Sequence, residues 1–306
     1  MAARGAHPVP GIRLGIGDDC ALIDPDPKHH LAVSTDSLLP GVHFLETTGA
    51  EDIGWRALAV NLSDLAAMGA TPRWFTLALT LPTPDPHWLT AFGAGLAACA
   101  GEADLHLVGG NLARGALNIT IQVAGSVPFG APLLRSGAAS GDRLCVTGSL
   151  GEAAAGLALC RGDLDLPDPL AARLRRRYSR PVPQLPAGQA LRRLASAAID
   201  LSDGLCGDLG HLEAASGVGF DVAVEALPIA DDLVRAVGRE QARSWALHQS
   251  DDYELLCTVP EEHWQQARAR CAEVGVRLTP IGTAVAGASR WRGIKAPAAS
   301  SGYRHF

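Results

Sequence analysis

Apolar runs that end in acidic residues alternate with helix-like segments along the first half of the chain. One apolar run delivers Asp36 at its end, and another is closed by Pro82. Strands are predicted over residues 31–35, 74–81, 105–108 and 117–124, and helices over residues 51–68 and 87–100. The resulting order β, α, β, α, β, β predicts an α/β or α+β domain built from packed layers.

The second half has the same mixture of short strands and helices. It follows a stretch rich in glycine, serine and alanine at residues 135–142, which predicts a linker. Strands are predicted over residues 142–147, 197–201, 220–224, 253–259 and 278–282, and helices over residues 152–160 and 204–215. We therefore predict two domains, residues 1–136 and residues 137–306, in a chain of 306 residues.

Composition narrows the class of protein. With 47% hydrophobic and 19% charged residues, the chain can bury a core and is not expected to be disordered. Its formal net charge of −6 makes it a poor generic binder of nucleic acid. No apolar run reaches the roughly 18 residues that span a membrane, and no signal-peptide pattern is present. We predict a cytoplasmic protein that binds neither nucleic acid nor membrane.

The cysteines support the same location. None of the seven forms a C-x-x-C pair, so a zinc or redox motif has little support. Most lie in apolar runs, as Cys145 and Cys257 do, where buried free thiols are expected. Free thiols are typical of a reducing cytosol.

Five short acidic motifs carry the strongest chemical signal. They are Gly17-Asp18-Asp19, Ser34-Thr35-Asp36, Asn61-Leu62-Ser63-Asp64, Asp200-Leu201-Ser202-Asp203-Gly204 and Asp251-Asp252-Tyr253-Glu254. Each lies where an apolar run ends or a helix face turns, and a carboxylate there is costly to bury unless it is paired or binds metal. Together they would form a cage of oxygen ligands suited to Mg²⁺ and substrate phosphates. The set indicates phosphoryl transfer from ATP.

Taken singly, each motif has a simpler interpretation. The acidic pair 18–19 is typical of a turn in which aspartate bonds its own backbone, and Asp36 can be a helix or turn cap. Residue Ser202 or Asp203 can cap the helix that follows. Asp64 is harder to explain this way, because its leucine and alanine neighbours favour partial burial beside a metal ion or an arginine.

Other segments give weaker signals. Glycine turns at 109–111 and 148–151 can present backbone N–H groups to phosphate, although the second can equally serve close helix packing. Neither matches the P-loop or the dinucleotide-binding fingerprint. The arginine-rich run 173–180 predicts a solvated helix face. By residue type alone, His43 is a surface histidine.

The combined motifs resemble those of the thiamine-monophosphate kinase family, ATP-dependent enzymes that convert thiamine monophosphate into thiamine diphosphate. The resemblance covers nearly the whole chain and is carried by residues 15–22, 34–36, 41–44, 59–70, 135–138, 199–205, 208–211 and 252–255. The block 61–70 is specific, whereas the glycine turns are not.

The resemblance implies a two-domain fold like that of aminoimidazole ribonucleotide synthetase. Its N-terminal domain would bind ATP and Mg²⁺ and place its sheet at a homodimer interface, and its C-terminal domain would be α/β. The implied metal ligands are Asp19, Ser34, Thr35, Asp36, Asp64, Asp200 and Asp203; the implied ATP-binding residues are Gly110, Asn111, Arg135 and Ser202; the implied substrate-binding residues are His43, Asp251 and Tyr303. The attacking phosphate oxygen is already anionic, so several Mg²⁺ ions and positioning would carry catalysis without a strong general base.

The chain departs from the family pattern in three places. Asn111 stands where the family has a metal-ligating aspartate, so we expect weaker metal binding. Gln249 and Ser250 replace two glycines beside the substrate. The chain also begins close to Gly15, so the family's N-terminal helical segment is expected to be missing or the start to be misassigned.

Two other functions stay open. The first is another ATP-using enzyme of the superfamily with a different phosphorylated substrate. A selenophosphate synthetase is disfavoured because no reactive cysteine precedes Gly17, and the block 61–70 with His43 fits the kinases better than the purine synthetases. The second is a nucleotide-binding paralogue with weakened catalysis. Asn111 and positions 249–250 suggest it, whereas the retained acidic residues argue against it.

Overall fold

The computed structural model describes residues 10–249 and 251–294. Ser250 and Tyr303 therefore lie outside the described residues. The described chain separates into an N-terminal unit, residues 10–65 with Ala70–Gly130, and a C-terminal unit, residues 66–69 with 131–294. The domain ranges predicted from the sequence stay predictions beside these units.

The N-terminal unit confirms the predicted order of elements and adds two short strands before it. Its strands are β1 Ile12–Leu14, β2 Leu22–Ile23, β3 His29–Leu38, β4 Thr71–Leu81, β5 His106–Arg114 and β6 Asn118–Pro128. Its helices are α1 Ala50–Ala67 and α2 Pro86–Glu102. Helix α1 ends before Gly69, whose φ of 63° is the left-handed conformation expected after a helix.

A four-stranded sheet in the order β3-β6-β4-β5 forms the centre of this unit. Strand β6 is antiparallel to both β3 and β4, whereas β4 and β5 are parallel. Side chains alternate along β3: Leu31, Val33 and Thr35 are exposed, and Ser34 and Asp36 lie on the more buried face. This alternation sends the carboxyl of Asp36 toward α1.

Residues 109–111 do not form the predicted glycine turn. They lie inside β5, where Gly110 is directly opposite Leu77 of β4. A Cβ added at Gly110 would lie 2.0 Å from the Leu77 carbonyl oxygen. Glycine is therefore needed here because two strands approach closely, and not because the chain reverses.

The C-terminal unit is built on a six-stranded mixed sheet. Its strands are β7 Arg143–Thr147, β8 Ala197–Asp200, β9 Gly219–Ala223, β10 Leu255–Val259, β11 Leu278–Val285 and β12 Arg290–Arg292. Its helices are α3 Glu152–Arg161, α4 Leu170–Ser179, α5 Leu185–Leu191, α6 Leu205–Ser216, α7 Asp231–Val237, α8 Arg239–His248 and α9 Trp264–Glu273. The strand order is β12-β9-β11-β7-β10-β8, antiparallel except for the β12–β9 pair.

Both faces of strands β7, β10 and the edge strand β8 are covered. Alternate residues enter two different cores: Val146 packs with residues of α6 and α8, whereas its neighbour Cys145 packs with residues of α5 and α9. These strands read as continuous apolar runs because neither face meets water. Their ends, at Asp200 and just before Leu255, are where the predicted acidic motifs lie.

Helices α7, α8 and α9 have no counterpart among the predicted elements. Each has only 7 to 10 residues. Helix α7 is typical, since Leu233 is its buried residue and Asp231, Asp232 and Arg235 are charged. Isolated helices shorter than about 12 residues are marginal in water, so these form because they pack on neighbours. In the part of the chain that the structure describes, every helix is too short or too polar to traverse a bilayer.

Candidate active site

Three of the predicted metal ligands meet where β3 lies against α1. The Ser34 hydroxyl donates a hydrogen bond to the Asp64 carboxylate. The Asp36 backbone N–H donates to Asn61 Oδ1 at 3.1 Å. Asn61 and Asp64 are three residues apart on α1 and therefore share one helix face. The structure thus brings Ser34, Asp36 and Asp64 into one cluster.

Asn61 orients this cluster from a fully buried position. Its side chain is 0% exposed, and Nδ2 donates to the Ala57 carbonyl at 2.9 Å while Oδ1 receives the Asp36 N–H. An amide that is bonded at both ends cannot rotate without losing a buried hydrogen bond. Asn61 therefore fixes the register of β3 against α1, a role that the sequence analysis does not assign to it.

The cluster places two carboxyl groups close together where water is scarce. Burial, together with the negative charge of Asp64, raises the pKa of Asp36 to about 6. A bound cation would remove this repulsion. Two carboxylates and a hydroxyl are also the hard oxygen donors that Mg²⁺ prefers. The donor set therefore fits a magnesium ion.

The loop that carries His43 is held from two sides. His43 Nδ1 accepts the Leu39 backbone N–H at 3.0 Å, and the His43 carbonyl accepts a hydrogen bond from Arg56 Nε at 2.9 Å. The imidazole is half-buried and has a fixed orientation, so it is more constrained than the surface histidine that residue type alone predicts. Arg56 is 2% exposed on α1, and its position within an apolar helix was the sequence signal for a buried charge.

Other predicted residues of the N-terminal unit lie away from this cluster. Asp18 and Asp19 are exposed, and the Asp19 N–H donates to Asp18 Oδ1 at 2.8 Å. This is the geometry expected if the acidic pair only forms a turn in which aspartate bonds its own backbone. The Thr35 side chain lies on the opposite face of β3 from Ser34, where Gln122 Nε2 donates to its hydroxyl at 3.4 Å. The structure therefore separates Thr35 from the two carboxyl groups.

Gly110 and Asn111 lie at the far edge of the same sheet. Asn111 is in register with Ala78, Thr120 and Ser37, across all four strands. Three strand spacings separate β5 from β3, a distance of roughly 14 Å. Within the N-terminal unit, Asn111 is therefore not a neighbour of Asp36 or Asp64.

A second acidic cluster lies at the end of β8 in the C-terminal unit. Asp200 and Asp208 are 4% and 2% exposed, and the Asp208 carboxylate accepts the Asp203 backbone N–H at 3.0 Å. Burial raises the pKa of Asp208 to about 8, and the nearby Asp200 and Asp203 carboxyl groups also raise it. The predicted set lacks Asp208, although a carboxylate in the first turn of α6 was the available signal.

Neither Ser202 nor Asp203 caps helix α6. The residue before the first helical position is Gly204, and no side chain caps this helix end. Gly204 has a φ of 93°, and a Cβ there would lie 3.1 Å from the backbone at the end of α8. The capping interpretation is therefore wrong, and the side chains of Ser202 and Asp203 can make other contacts.

The predicted ATP-binding residue Arg135 is exposed, and its carbonyl accepts a hydrogen bond from Ser216 Oγ at 2.9 Å.

The fifth motif divides into two pairs of side chains. Asp251 and Tyr253 bond to each other, with the Tyr253 hydroxyl donating to Asp251 Oδ1 at 3.2 Å. Asp252 and Glu254 point into the C-terminal unit and are 5% and 1% exposed. Asp252 accepts the backbone N–H groups of Gly151 at 2.6 Å and of Ala153 at 3.1 Å.

The glycine turn 148–151 is therefore not a phosphate cradle. Its N–H donor at Gly151 is already bonded to the Asp252 carboxylate. A Cβ at Gly148 would lie 2.1 Å from Glu254 Oε1, and one at Gly151 would lie 3.1 Å from the Ala246 backbone of α8. Close packing explains both glycines.

Among residues 10–249 and 251–294, no group of three or more histidine, cysteine, aspartate or glutamate side chains is arranged to hold a metal ion, so the predicted cage stays a prediction.

The arginine-rich helix α4 is only partly the solvated face that its sequence predicts. Arg175 and Arg176 are exposed, but the Arg177 side chain is only 21% exposed. Arg177 Nη2 donates to Glu254 Oε1 at 2.9 Å, and its Nε lies 3.4 Å from Glu152 Oε2. The prediction is wrong for Arg177 because two buried carboxylates draw this side chain inward.

Comparison with known proteins matches both units. Residues 17–127 match the family described as AIR synthase related protein, N-terminal domain, and residues 139–291 match its C-terminal domain. The thiamine-monophosphate kinase of Salmonella typhimurium is 49% identical over 272 residues, which cover 89% of this chain and 84% of that protein. The chain belongs to the thiamine-monophosphate kinase family, within the AIR synthase related proteins.

Solved structures of this family have the same fold. The thiamine-monophosphate kinase of Stenotrophomonas maltophilia matches with a TM-score of 0.88 and 42% identity, over 94% of this chain and 93% of that one. AaThiL, complexed with AMPPCP and TMP, matches with a TM-score of 0.83 and 31% identity, over 95% and 92%. The family resemblance and the two-domain fold predicted from the sequence are confirmed.

Proposed function

We propose that this protein transfers the γ-phosphoryl group of ATP to the phosphate of thiamine monophosphate, giving thiamine diphosphate and ADP. The observation that carries the proposal is the 49% identity to a thiamine-monophosphate kinase over 89% of the chain. The AaThiL structure with AMPPCP and TMP supports it, because a relative of the same fold binds an ATP analogue together with TMP.

Mg²⁺ is part of the proposal. The cluster of Ser34, Asp36 and Asp64 offers hard oxygen donors, and the mutual repulsion of its carboxyl groups favours a cation there. We propose that Asp19, Asp200 and Asp203 are further ligands when both substrates are bound. Bound Mg²⁺ would neutralise charge on the transferring phosphoryl group.

The side chains of the protein would bind and align the two substrates. An oxygen of the substrate phosphate is already anionic at neutral pH, so the transfer needs no side chain to remove a proton. We propose in-line attack with His43, Asp251 and Tyr303 holding thiamine monophosphate, and with Gly110, Asn111, Arg135 and Ser202 holding ATP. His43 suits this role, since its imidazole is fixed through Nδ1 and its loop is held by Arg56.

We also propose a homodimer in the cytoplasm. Leu31 and Val33 are 62% and 51% exposed on one face of β3, a surface that a second copy would cover. Light scattering coupled to size exclusion tests the dimer, and Val33→Glu is expected to shift the protein toward the monomer.

The proposed location in the cytoplasm rests on the cysteines. All seven are free thiols, which a reducing compartment preserves.

The deciding experiment is product formation. Purified protein is incubated with thiamine monophosphate, ATP and Mg²⁺, and thiamine diphosphate is quantified by chromatography, with EDTA as the control for the metal. Formation that stops when EDTA is added supports the proposal. ATP binding without any thiamine diphosphate would contradict it and would favour another phosphate acceptor or a protein with weakened catalysis.

A further inference from the structure

A buried network of charges lies beneath the 251–254 segment, and none of the roles proposed above uses it. It contains Asp252 and Glu254 from the segment, Glu152 from the start of α3, and Arg177 from α4. The three carboxyl-bearing residues are 5%, 1% and 5% exposed. Carboxylates this deep persist only when hydrogen-bonded or paired with a cation.

The segment above this network has an unusual backbone. Asp251 and Tyr253 have φ angles of 76° and 51°, the left-handed conformation that residues other than glycine rarely adopt. Two such residues within three positions store strain, which persists only where surrounding contacts hold the chain. The main-chain hydrogen bond from Asp251 N–H to the Ser202 carbonyl is long, at 3.4 Å. The neighbouring main-chain bonds, from Tyr253 N–H to the Leu201 carbonyl at 3.0 Å and from Leu201 N–H to the Glu254 carbonyl at 2.8 Å, are shorter, so the looser end of the segment is at Asp251.

Side-chain anchors on either side of Tyr253 supply the missing constraint. The anchor at Asp252 is the pair of backbone N–H groups at the start of α3. The anchor at Glu254 is formed by the Thr147 hydroxyl, which donates to Oε2 at 2.7 Å, and by Arg177, which donates to Oε1 at 2.9 Å. Both Glu254 oxygens are thus bound.

We propose that Arg177 is a positioning residue for Asp251. By holding Glu254, it fixes the left-handed segment and so sets the direction of the Asp251 carboxylate toward the cationic thiamine part of the substrate. This inference rests on the proposed function, in which Asp251 contacts thiamine monophosphate. Arg177 itself touches neither substrate in this account, so its effect passes through the backbone of residues 251–254.

Arg173 provides a matched control on the same helix. It lies one turn before Arg177 and also pairs with Glu152, but its second partner is Asp232 at 2.8 Å. Its side chain is 42% exposed, and among the described residues it forms ion pairs with Glu152 and Asp232 and not with Glu254. Removal of either guanidinium costs ion pairs and lowers stability. Only removal of Arg177 should release the 251–254 segment.

The first test is amide hydrogen exchange of Arg177→Met and Arg173→Met in the full chain without ligands. In Arg177→Met, exchange of a peptide covering residues 249–255 should be about tenfold faster than in the wild type, because one Glu254 anchor is lost. In Arg173→Met, the same peptide should exchange within about twofold of the wild-type rate. Equal exchange of this peptide in the two variants would overturn the proposal.

The second test separates the two substrates. Arg177→Met is expected to raise KM for thiamine monophosphate about tenfold while KM for ATP changes less than about twofold, because only Asp251 is displaced. Arg173→Met should leave both values within about twofold of the wild type. Arg177→Lys, which keeps the charge, should recover part of the loss. A parallel rise of both KM values in Arg177→Met would indicate a merely structural role and would overturn the proposal.

If Arg177→Met does not fold, a different variant tests the same proposal. Thr147→Val removes the hydroxyl that donates to Glu254 and accepts the Leu255 N–H while keeping the side-chain shape, and it should produce the same rise in KM for thiamine monophosphate with little change in KM for ATP. If the wild type forms no thiamine diphosphate, the proposed function fails by itself. The exchange comparison then still decides whether Arg177 holds the segment.

Discussion

Each unit buries two carboxyl groups side by side, but the surroundings of the two pairs differ. In the N-terminal unit, Asp36 faces Asp64, and burial together with this neighbouring charge raises the pKa of Asp36 to about 6. In the C-terminal unit, Asp252 receives two backbone N–H groups and Glu254 receives a hydroxyl and a guanidinium. The first pair repels a negative charge and suits an incoming cation, whereas donors from the protein satisfy the second.

The difference shows that an acidic motif can be a ligand set or a structural anchor, and that the local donors decide which. Burial alone would favour Asp252 and Glu254 as the functional residues, since they are more deeply buried than Asp36. Their hydrogen bonds argue the opposite, because a carboxylate with both oxygens occupied has little capacity left for metal. We therefore propose that Ser34, Asp36 and Asp64 hold the metal, and that Asp252 and Glu254 anchor the 251–254 segment.

The largest effect is expected from Asp64→Asn. This change removes one negative charge from the proposed metal cluster and should lower kcat about a hundredfold or more. Stability should change little, because the asparagine has the same shape and the carboxyl pair repels itself. Steady-state kinetics and thermal unfolding measure the two effects, with the exposed Asp165→Asn as the control. Near-normal turnover in Asp64→Asn would contradict the metal assignment.

The anchoring role predicts a large loss of stability in Gly148→Ala. The new methyl group would lie 2.1 Å from Glu254 Oε1, at a backbone φ of 60°. We expect a loss of about 3 kcal/mol, since the anchor of a buried carboxylate is displaced. Gly162→Ala is the matched control, because Gly162 has a φ of 81° but nothing within 4 Å of an added Cβ. It should cost only about 1 kcal/mol of backbone strain. Equal losses in urea titrations would show that Glu254 tolerates displacement.

The pH dependence of stability sharpens the comparison further. Burial raises the pKa of Asp252 to about 7 from the ordinary value of 3.8, so the folded state binds a proton that the unfolded state has released. This contribution to stability is present below pH 4 and is lost as the pH rises through 7. Between pH 5 and pH 8, the free energy of unfolding of the wild type should fall by on the order of 2 kcal/mol more than that of Asp252→Asn. Parallel urea midpoints of the two proteins across this range would contradict this account.

The apolar pattern predicted most of the fold because burial follows it closely. The continuous apolar runs form β7, β8 and β10, and helices cover both faces of these strands. Helices α7, α8 and α9 were not predicted because they are short and highly charged, and only tertiary packing stabilises them. Gly110 was misinterpreted because close approach of strands and reversal of the chain both select glycine.

The site was predicted in part, and what was missed depends on contacts between distant segments. Asp36 and Asp64 were identified by type and by position after apolar runs, and the structure places them together. The anchoring role of Asp252 and Glu254 could not be predicted, because their donors come from Gly151, Ala153 and Arg177, about 75 to 100 residues earlier in the chain. No local pattern contains such pairings.

The smallest expected effect concerns Asn111, where the family resemblance implies an aspartate. Asn111→Asp would add a negative charge at the far edge of the sheet from Asp36, so it should lower the Mg²⁺ concentration for half-maximal rate about threefold at most. The measurement is initial rate against Mg²⁺ concentration at saturating ATP. Asn118→Asp, on the neighbouring part of β6, controls for added charge alone. Indistinguishable Mg²⁺ curves for wild type and Asn111→Asp would mean that this edge of the sheet no longer contacts metal, and that the Asp36–Asp64 cluster dominates the metal requirement of the N-terminal unit.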